Sequence, residues 1–265
     1  MGGAGGRTYI QEHDIMMNPA EFAHIAAAER DFWWYRGMRA ILFGLLDPLA
    51  CKRSIRTVLE AGCGTGHNAA LLRRRYGWKT YALDLQTEAL RYAKESGVSL
   101  LTQGDVAALP FRSGTFDAVI ALDVIAHFPR GQESRVFQEL ARVLAPGGLV
   151  VLRVAALDFL RSRHSEFTFE RQRFTAKRLL CGLVAHGIRQ LRCTYANTLL
   201  LPIATAKFRI WEPLMHEKPA SGVRPVSAWL NRSLAVPLAA ESRWLRAGLN
   251  LPLGQSLILI GEKQP

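Results

Sequence analysis

The chain has 265 residues, 49% of them hydrophobic and 21% charged, with 34 Lys and Arg against 22 Asp and Glu. That is enough apolar material for a full core and too little charge for a disordered chain, and the length suits one enlarged domain or one domain with a small appendage. The net charge of +12 favours anionic partners, whether nucleic acid, an acidic membrane or an acidic substrate, and says nothing about the fold.

The first residues, MGGAGGRTYIQEHD, lack the apolar run and cleavage site of a signal peptide. Gly6 stands where a myristoylation signal carries Ser or Thr, and the glycine-rich first six residues read as disordered. Residues 20–50 carry apolar residues at helical spacing and predict one helix ending near Asp47-Pro48. From residue 56 short apolar runs alternate with helical patterns. The runs are 56–62, 79–85, 98–104, 116–123 and 148–156; the helical patterns are 67–75, 86–95, 131–144 and 175–186. Such alternation predicts a parallel sheet covered by helices. Two further strands are predicted at 189–197 and 255–263, with helical stretches near 205–216 and 226–247 between them.

The four cysteines, Cys51, Cys63, Cys181 and Cys193, form no CxxC pair, which excludes a disulfide-dense scaffold and argues against a cysteine-built zinc site. No His, Asp, Glu or Cys grouping has metal spacing, so no metal is expected. No stretch approaches the roughly 18–20 uninterrupted apolar residues of a membrane span. A soluble, cytoplasmic protein is the expectation.

The first predicted strand ends in Val58-Leu59-Glu60-Ala61-Gly62-Cys63-Gly64-Thr65-Gly66. Alternate glycines permit a sharp strand-to-helix reversal and close approach of a ligand to the main chain. A dinucleotide fingerprint would need a glycine where His67 stands, and the GK[ST] of a phosphate loop is missing. Glu60 would repel a pyrophosphate but suits an ammonium group. Glu60, Asp84 and Asp105 all end successive predicted strands, on the edge where open parallel sheets bind ligands.

These residues resemble the class I S-adenosylmethionine-dependent methyltransferases, in their methyltransferase type 11-like, small-molecule branch. VLEAGCGTG looks like the family's first motif, and the resemblance implies that Glu60, Gly62, Cys63, Gly64 and Gly66 hold the methionine part of the cofactor. It implies Asp84, with Leu85 beside it, on the ribose hydroxyls, Asp105 and Val106 at the adenine, and Leu122 at the end of the fourth strand. RVLAPGGLVVLRV (142–154) resembles the family's helix, Pro-Gly-Gly turn and fifth strand. DFWWYRGMRAILFGLL (31–46) is similar to a helix preceding the fold in many members, which would bring Tyr35 and Arg36 over the cofactor. Its aromatics serve equally well to pack that helix on the sheet.

The implied fold is α/β, a Rossmann-like doubly wound seven-stranded sheet, mostly parallel with the last strand antiparallel. Residues 1–50 form a tail and covering helix, 51–197 the cofactor-binding core, 198–254 a helical insertion or lid, and 255–265 the last core strand. The implied activity is methyl transfer from S-adenosyl-L-methionine to an O or N nucleophile by in-line displacement. His127 is the first candidate base and His164 the second; a structural role for His127 and a surface role for His164 compete with these.

Residues 161–192 hold eight Lys and Arg against two acids, and residues 198–254 seven against three. This places the excess charge on the acceptor side. It fits a small-molecule or lipid-linked, anionic acceptor or a peripheral membrane approach, and equally a solvated basic face. RNA methylation is an alternative, disfavoured because no RNP-like motif or appended RNA-binding module occurs. A non-catalytic cofactor-binding protein is the other.

Overall fold

A computed structural model describes residues 17–216 and 218–265. The readings of the first fourteen residues lie outside the described residues. The apolar runs become strands: β1 (Thr57–Ala61), β2 (Lys79–Asp84), β3 (Leu100–Gln103), β4 (Phe116–Leu122), β5 (Leu144–Ala155), β6 (Ile188–Ala196) and β7 (Ser256–Lys263), those at the centre of the sheet buried on both faces and the edge strands β3 and β6 only in part. They form one seven-stranded sheet in the order β3-β2-β1-β4-β5-β7-β6. β7 runs antiparallel to both of its neighbours, as the sequence predicts, while β1 is parallel to β2 and β4.

Successive residues of β5 serve opposite layers, as a two-residue period demands. Val150, Leu152 and Val154 pack with Phe137 and Leu140 of α5 (Glu133–Val143), whereas Leu149 and Val151 pack with Ile41 and Leu45. Order reverses between β1 and β4, so the loops after these strands diverge and leave a crevice at the carboxyl edge.

The single helix predicted over 20–50 is two: α1 (Ala20–Ala28) and α2 (Trp33–Ala50). No Pro or Gly breaks it. Phe32 is extended at φ −64 and ψ 132, because tertiary partners claim the corner. Thr65 donates to the Glu29 carboxylate, and the Arg39 guanidinium reaches back to the carbonyls of Glu29 and Arg30.

The helices α3 (His67–Tyr76), α4 (Thr87–Glu95), α6 (Arg163–Phe167) and α7 (Ala176–Val184) complete the layers. Between β6 and β7 lie α8 (Leu201–Ala206), a π turn at Lys207–Trp211, α9 (Glu212–Met215) and α10 (Ala228–Arg246). α10 crosses α2 closely: a Cβ on Gly37 would lie 2.3 Å from Leu238 Cδ1. Asn231 Oδ1 accepts the Trp33 N–H, and Ser242 Oγ donates to the Ala40 carbonyl. The second half of the inserted segment therefore belongs to the helical layer of the core. Its first half borders the crevice.

Candidate active site

The loop after β1 reverses the chain through hydrogen bonds to β2. Gly62 and Cys63 N–H donate to the Leu83 carbonyl, and Gly64 N–H donates to Asp84 Oδ2 at 2.9 Å. Gly62, at φ +75, lies so near Val124 that any Cβ would fall 2.5 Å from its side chain. Gly66, at φ +70, admits Ala93 of α4 at similar range; it seats one helix on another.

Glu60 is 1% exposed. Asn68 and the backbone of Ala69 bond its carboxyl, while Oε2 has no partner among the described residues. Burial pushes its pKa up to about 8. Asp84 Oδ1 accepts the Gln86 N–H, and burial raises this carboxyl too. Asp105 Oδ1 accepts the Ala107 N–H.

A cavity of about 800 Å³ joins these groups. Tyr35, Glu60, Gly62, Cys63, Gly64, Asp84, Leu85, Asp105, Val106 and Leu122 all line it. Arg36 and Gly66 do not, among the described residues. Arg36 is exposed, because a helix brings residues four apart to one face; Arg39 is thereby the guanidinium that shares the cavity face with Tyr35. The floor between the two ends of the cavity is an ion pair, Arg153 to Asp123 at 2.6 Å, with Trp34 stacked on the guanidinium. Asp123 is thus engaged with Arg153 and does not pair with His127.

α1 covers the cavity and ties both ends together. Glu29 meets Thr65 of the glycine loop, whereas Glu21, 1% exposed, accepts from Ser221 Oγ at 3.0 Å and lies 3.1 Å from His24 Nδ1. Burial pushes the Glu29 carboxyl up to about 7. Sequence reasoning missed these acids. The available signal was their spacing with Ile25 at four-residue steps, which puts two carboxylates on an apolar helix face.

His127 ends a short 3-10 turn, Ile125–His127. Its ring bonds the Phe169 carbonyl, and its Nδ1, shielded from water, has no partner among the described residues. Burial lowers its pKa, so the imidazole is neutral at pH 7 with a free lone pair. His164 differs. Its Nδ1 accepts the Gly222 N–H at 2.9 Å, and burial with Lys207 and Arg173 pushes its pKa down to about 4. The lone pair a base would need is occupied. His67 lies 4.0 Å from Glu29, and burial pushes it down to about 4.

A residue unmarked in the sequence stands at the end of β6. Asn197, 1% exposed and at φ +57, lines the cavity with an Oδ1 lacking a partner among the described residues. Buried amides of this kind ordinarily find partners.

Residues 59–152 match the family described as methyltransferase domain. Among curated relatives, the chain is 38% identical over 99 residues to the fatty-acid O-methyltransferase of Mycolicibacterium smegmatis, covering 35% of each chain. It is 34% identical over 110 residues to the probable tRNA methyltransferase 9B of Bos taurus, covering 41% of this chain and 23% of that one. The chain therefore spans little more than a third, or less, of the length of these relatives. In fold, it resembles a putative methyltransferase of Haloferax volcanii in complex with the Trm112 activator (TM-score 0.58, 19% identity, covering 92% of this chain and 98% of that one). It also resembles a possible histamine N-methyltransferase of Thermotoga maritima (TM-score 0.57, 16% identity, covering 92% and 95%). The glycine loop, the acid-tipped strands and the matched stretch make residues 59–152 a class I S-adenosylmethionine-dependent methyltransferase domain.

Proposed function

We propose that this chain transfers a methyl group from S-adenosylmethionine to an O or N nucleophile of a small or lipid-linked acceptor. The observation that carries the reading is the orphaned Glu60 Oε2 at the base of a glycine loop, in one cavity with Asp84, Asp105 and His127. A buried carboxylate oxygen without a partner fits the ammonium of the cofactor's methionine part. Asp84, which takes the backbone N–H groups of Gly64, Gln86 and Leu85, keeps acceptor capacity for a hydroxyl of a vicinal diol. Asp105 and Val106 suit the adenine. The cofactor supplies an electrophilic methyl on a sulfonium.

The protein's part is alignment, exclusion of water and removal of a proton. His127 Nδ1 is the group we assign to accept that proton, while His164, its Nδ1 bound by Gly222, donates from its other nitrogen and orients the acceptor. Beyond the floor, Trp34, Leu200, Phe208 and Leu234 give apolar walls with His127, His164, Asn197 and Ser221 interspersed. This composition supports a small, partly apolar acceptor.

Calorimetry with S-adenosylhomocysteine tests the cofactor assignment. Asp84→Ala is expected to weaken binding by roughly tenfold to a hundredfold; no binding by the parent chain overturns it. RNA methylation is the second reading, favoured by the tRNA methyltransferase 9B similarity and the charge of +12. Methyl incorporation into tRNA, with salt-sensitive binding, would establish it.

A further inference from the structure

The helical run 201–215 turns an inverted face to solvent. Its inward side holds Ala204 and Glu212, and Glu212, buried, accepts the Arg163 backbone N–H at 2.9 Å. Its outward side is apolar: Ile203, Ile210 and Trp211 are each 61% exposed, Leu214 is 70% exposed, and Leu199 and Met215 are exposed as well. The charged side chains exposed between 199 and 215, among the described residues, are Lys207 and Arg209; no acid joins them.

A helix stabilised by packing on a core shows the opposite polarity, apolar inward and charged outward. The π turn at Lys207–Trp211 keeps the run continuous, so the exposed Ile203, Ile210, Trp211, Leu214 and Met215 lie along one helical run, with Leu199 just before it. A contiguous exposed apolar face marks an interaction site. Leu, Ile and Trp beside Lys and Arg, without acids, have the composition of a segment lying in the headgroup layer of an anionic bilayer. Nucleic acid would engage the two cations but leave the aliphatic side chains uncovered. A self-complementary contact between two copies would bring their cations together with no acid between them.

We propose that the face 199–215 docks on an anionic lipid bilayer, with Ile203, Ile210, Trp211 and Leu214 among the headgroups and Lys207 and Arg209 on the phosphates. Ile203, Lys207 and Trp211 also line the cavity, so docking opens the candidate site toward the membrane surface. The surface stands independently of methyl transfer; the corollary that the acceptor is drawn from the bilayer rests on that reading.

Co-sedimentation with vesicles rich in phosphatidylglycerol, against vesicles of phosphatidylcholine alone, tests this on the full chain. The expected result is binding to the anionic vesicles that falls with salt, and a loss of at least about tenfold in the double variant Ile210→Glu, Leu214→Glu. Neither of these side chains lines the cavity, so the variant's S-adenosylhomocysteine affinity and melting temperature are expected to match the parent's. Four results overturn the proposal: no binding by the parent, equal binding by the variant, tRNA binding that the variant keeps while vesicles are ignored, or a dimer that the variant dissolves without any vesicle binding. Vesicle failure with S-adenosylhomocysteine binding intact refutes the docking surface alone. Vesicle binding without S-adenosylhomocysteine binding refutes the methyltransferase reading alone.

Discussion

The Asn197 backbone N–H donates to Glu241 Oε2 at 2.6 Å, linking the end of β6 to the middle of α10. Oε1 of the same carboxylate takes the N–H groups of Thr198 and Leu199, each at 2.7 Å. Glu241 is 2% exposed, and this clamp holds Asn197 in its left-handed conformation at the cavity wall. Glu241→Ala strands three backbone donors, and is expected to cost about 3 kcal/mol or more in denaturant unfolding. Asn197→Ala, which loses the residue type that tolerates φ +57, is expected to cost about 1–2 kcal/mol while raising the acceptor KM more than it changes kcat. Equal stability losses in the two variants would contradict this division.

The Glu60 carboxyl, pushed up to about 8, carries a proton at pH 7 in the ligand-free protein. Pairing with an ammonium requires the carboxylate, so cofactor binding releases a proton. Affinity is expected to rise with pH up to about 8 and then level. Calorimetry at pH 7 in buffers of differing ionisation enthalpy reads the released proton directly. Glu60→Gln is expected to abolish it and weaken binding by roughly tenfold or more.

Stability follows the same groups. Glu29 and Glu60 hold protons to about 7 and about 8, against ordinary values near 4.5. Between those limits the native state binds more protons than the unfolded chain, so stability falls as pH rises. His67, lowered to about 4, acts in the opposite sense, but only below 6.5. Above 6.5 these carboxyls act without it. The ligand-free protein is expected to lose about 2 kcal/mol between pH 6.5 and 8. Melting temperatures across this range check it, with Glu60→Gln removing most of the slope.

His127 and His164 are expected to separate kinetically. His127→Ala is expected to lower kcat by roughly a hundredfold to ten-thousandfold with cofactor affinity unchanged. Because burial lowers the His127 pKa, the parent's activity is expected to hold on the acid side of 6.5 before falling as the imidazole protonates. His164→Ala frees the Gly222 N–H, and is expected to raise the acceptor KM while leaving the pH profile of kcat in place. Normal turnover in His127→Ala would remove it from the mechanism.

Much of this was legible in the chain order of residues. Strand positions followed from short apolar runs between helical patterns, and the cofactor edge followed from glycines and acids at strand ends, because each signal is local and sits where backbone geometry requires it. Arg36 shows the limit of such reading: four-residue spacing from Tyr35 puts Arg39 on the cavity instead. The break at residues 29–32 had no local signal either, since Thr65 and Arg39 impose it from outside.

By itself, then, the sequence determined the parallel sheet, the glycine loop and the acids at the ends of β1 and β2, features set by short-range sterics and burial periodicity. Only the tertiary structure decided which histidine keeps a free lone pair, which asparagine is buried at the cavity wall and which helix face is left to solvent. Glu21 meets Ser221 across 200 positions, and Asn197 meets Glu241 across 44. Hydrogen bonds that close over such separations leave no periodicity in the chain, because their partners are chosen by packing of the finished layers.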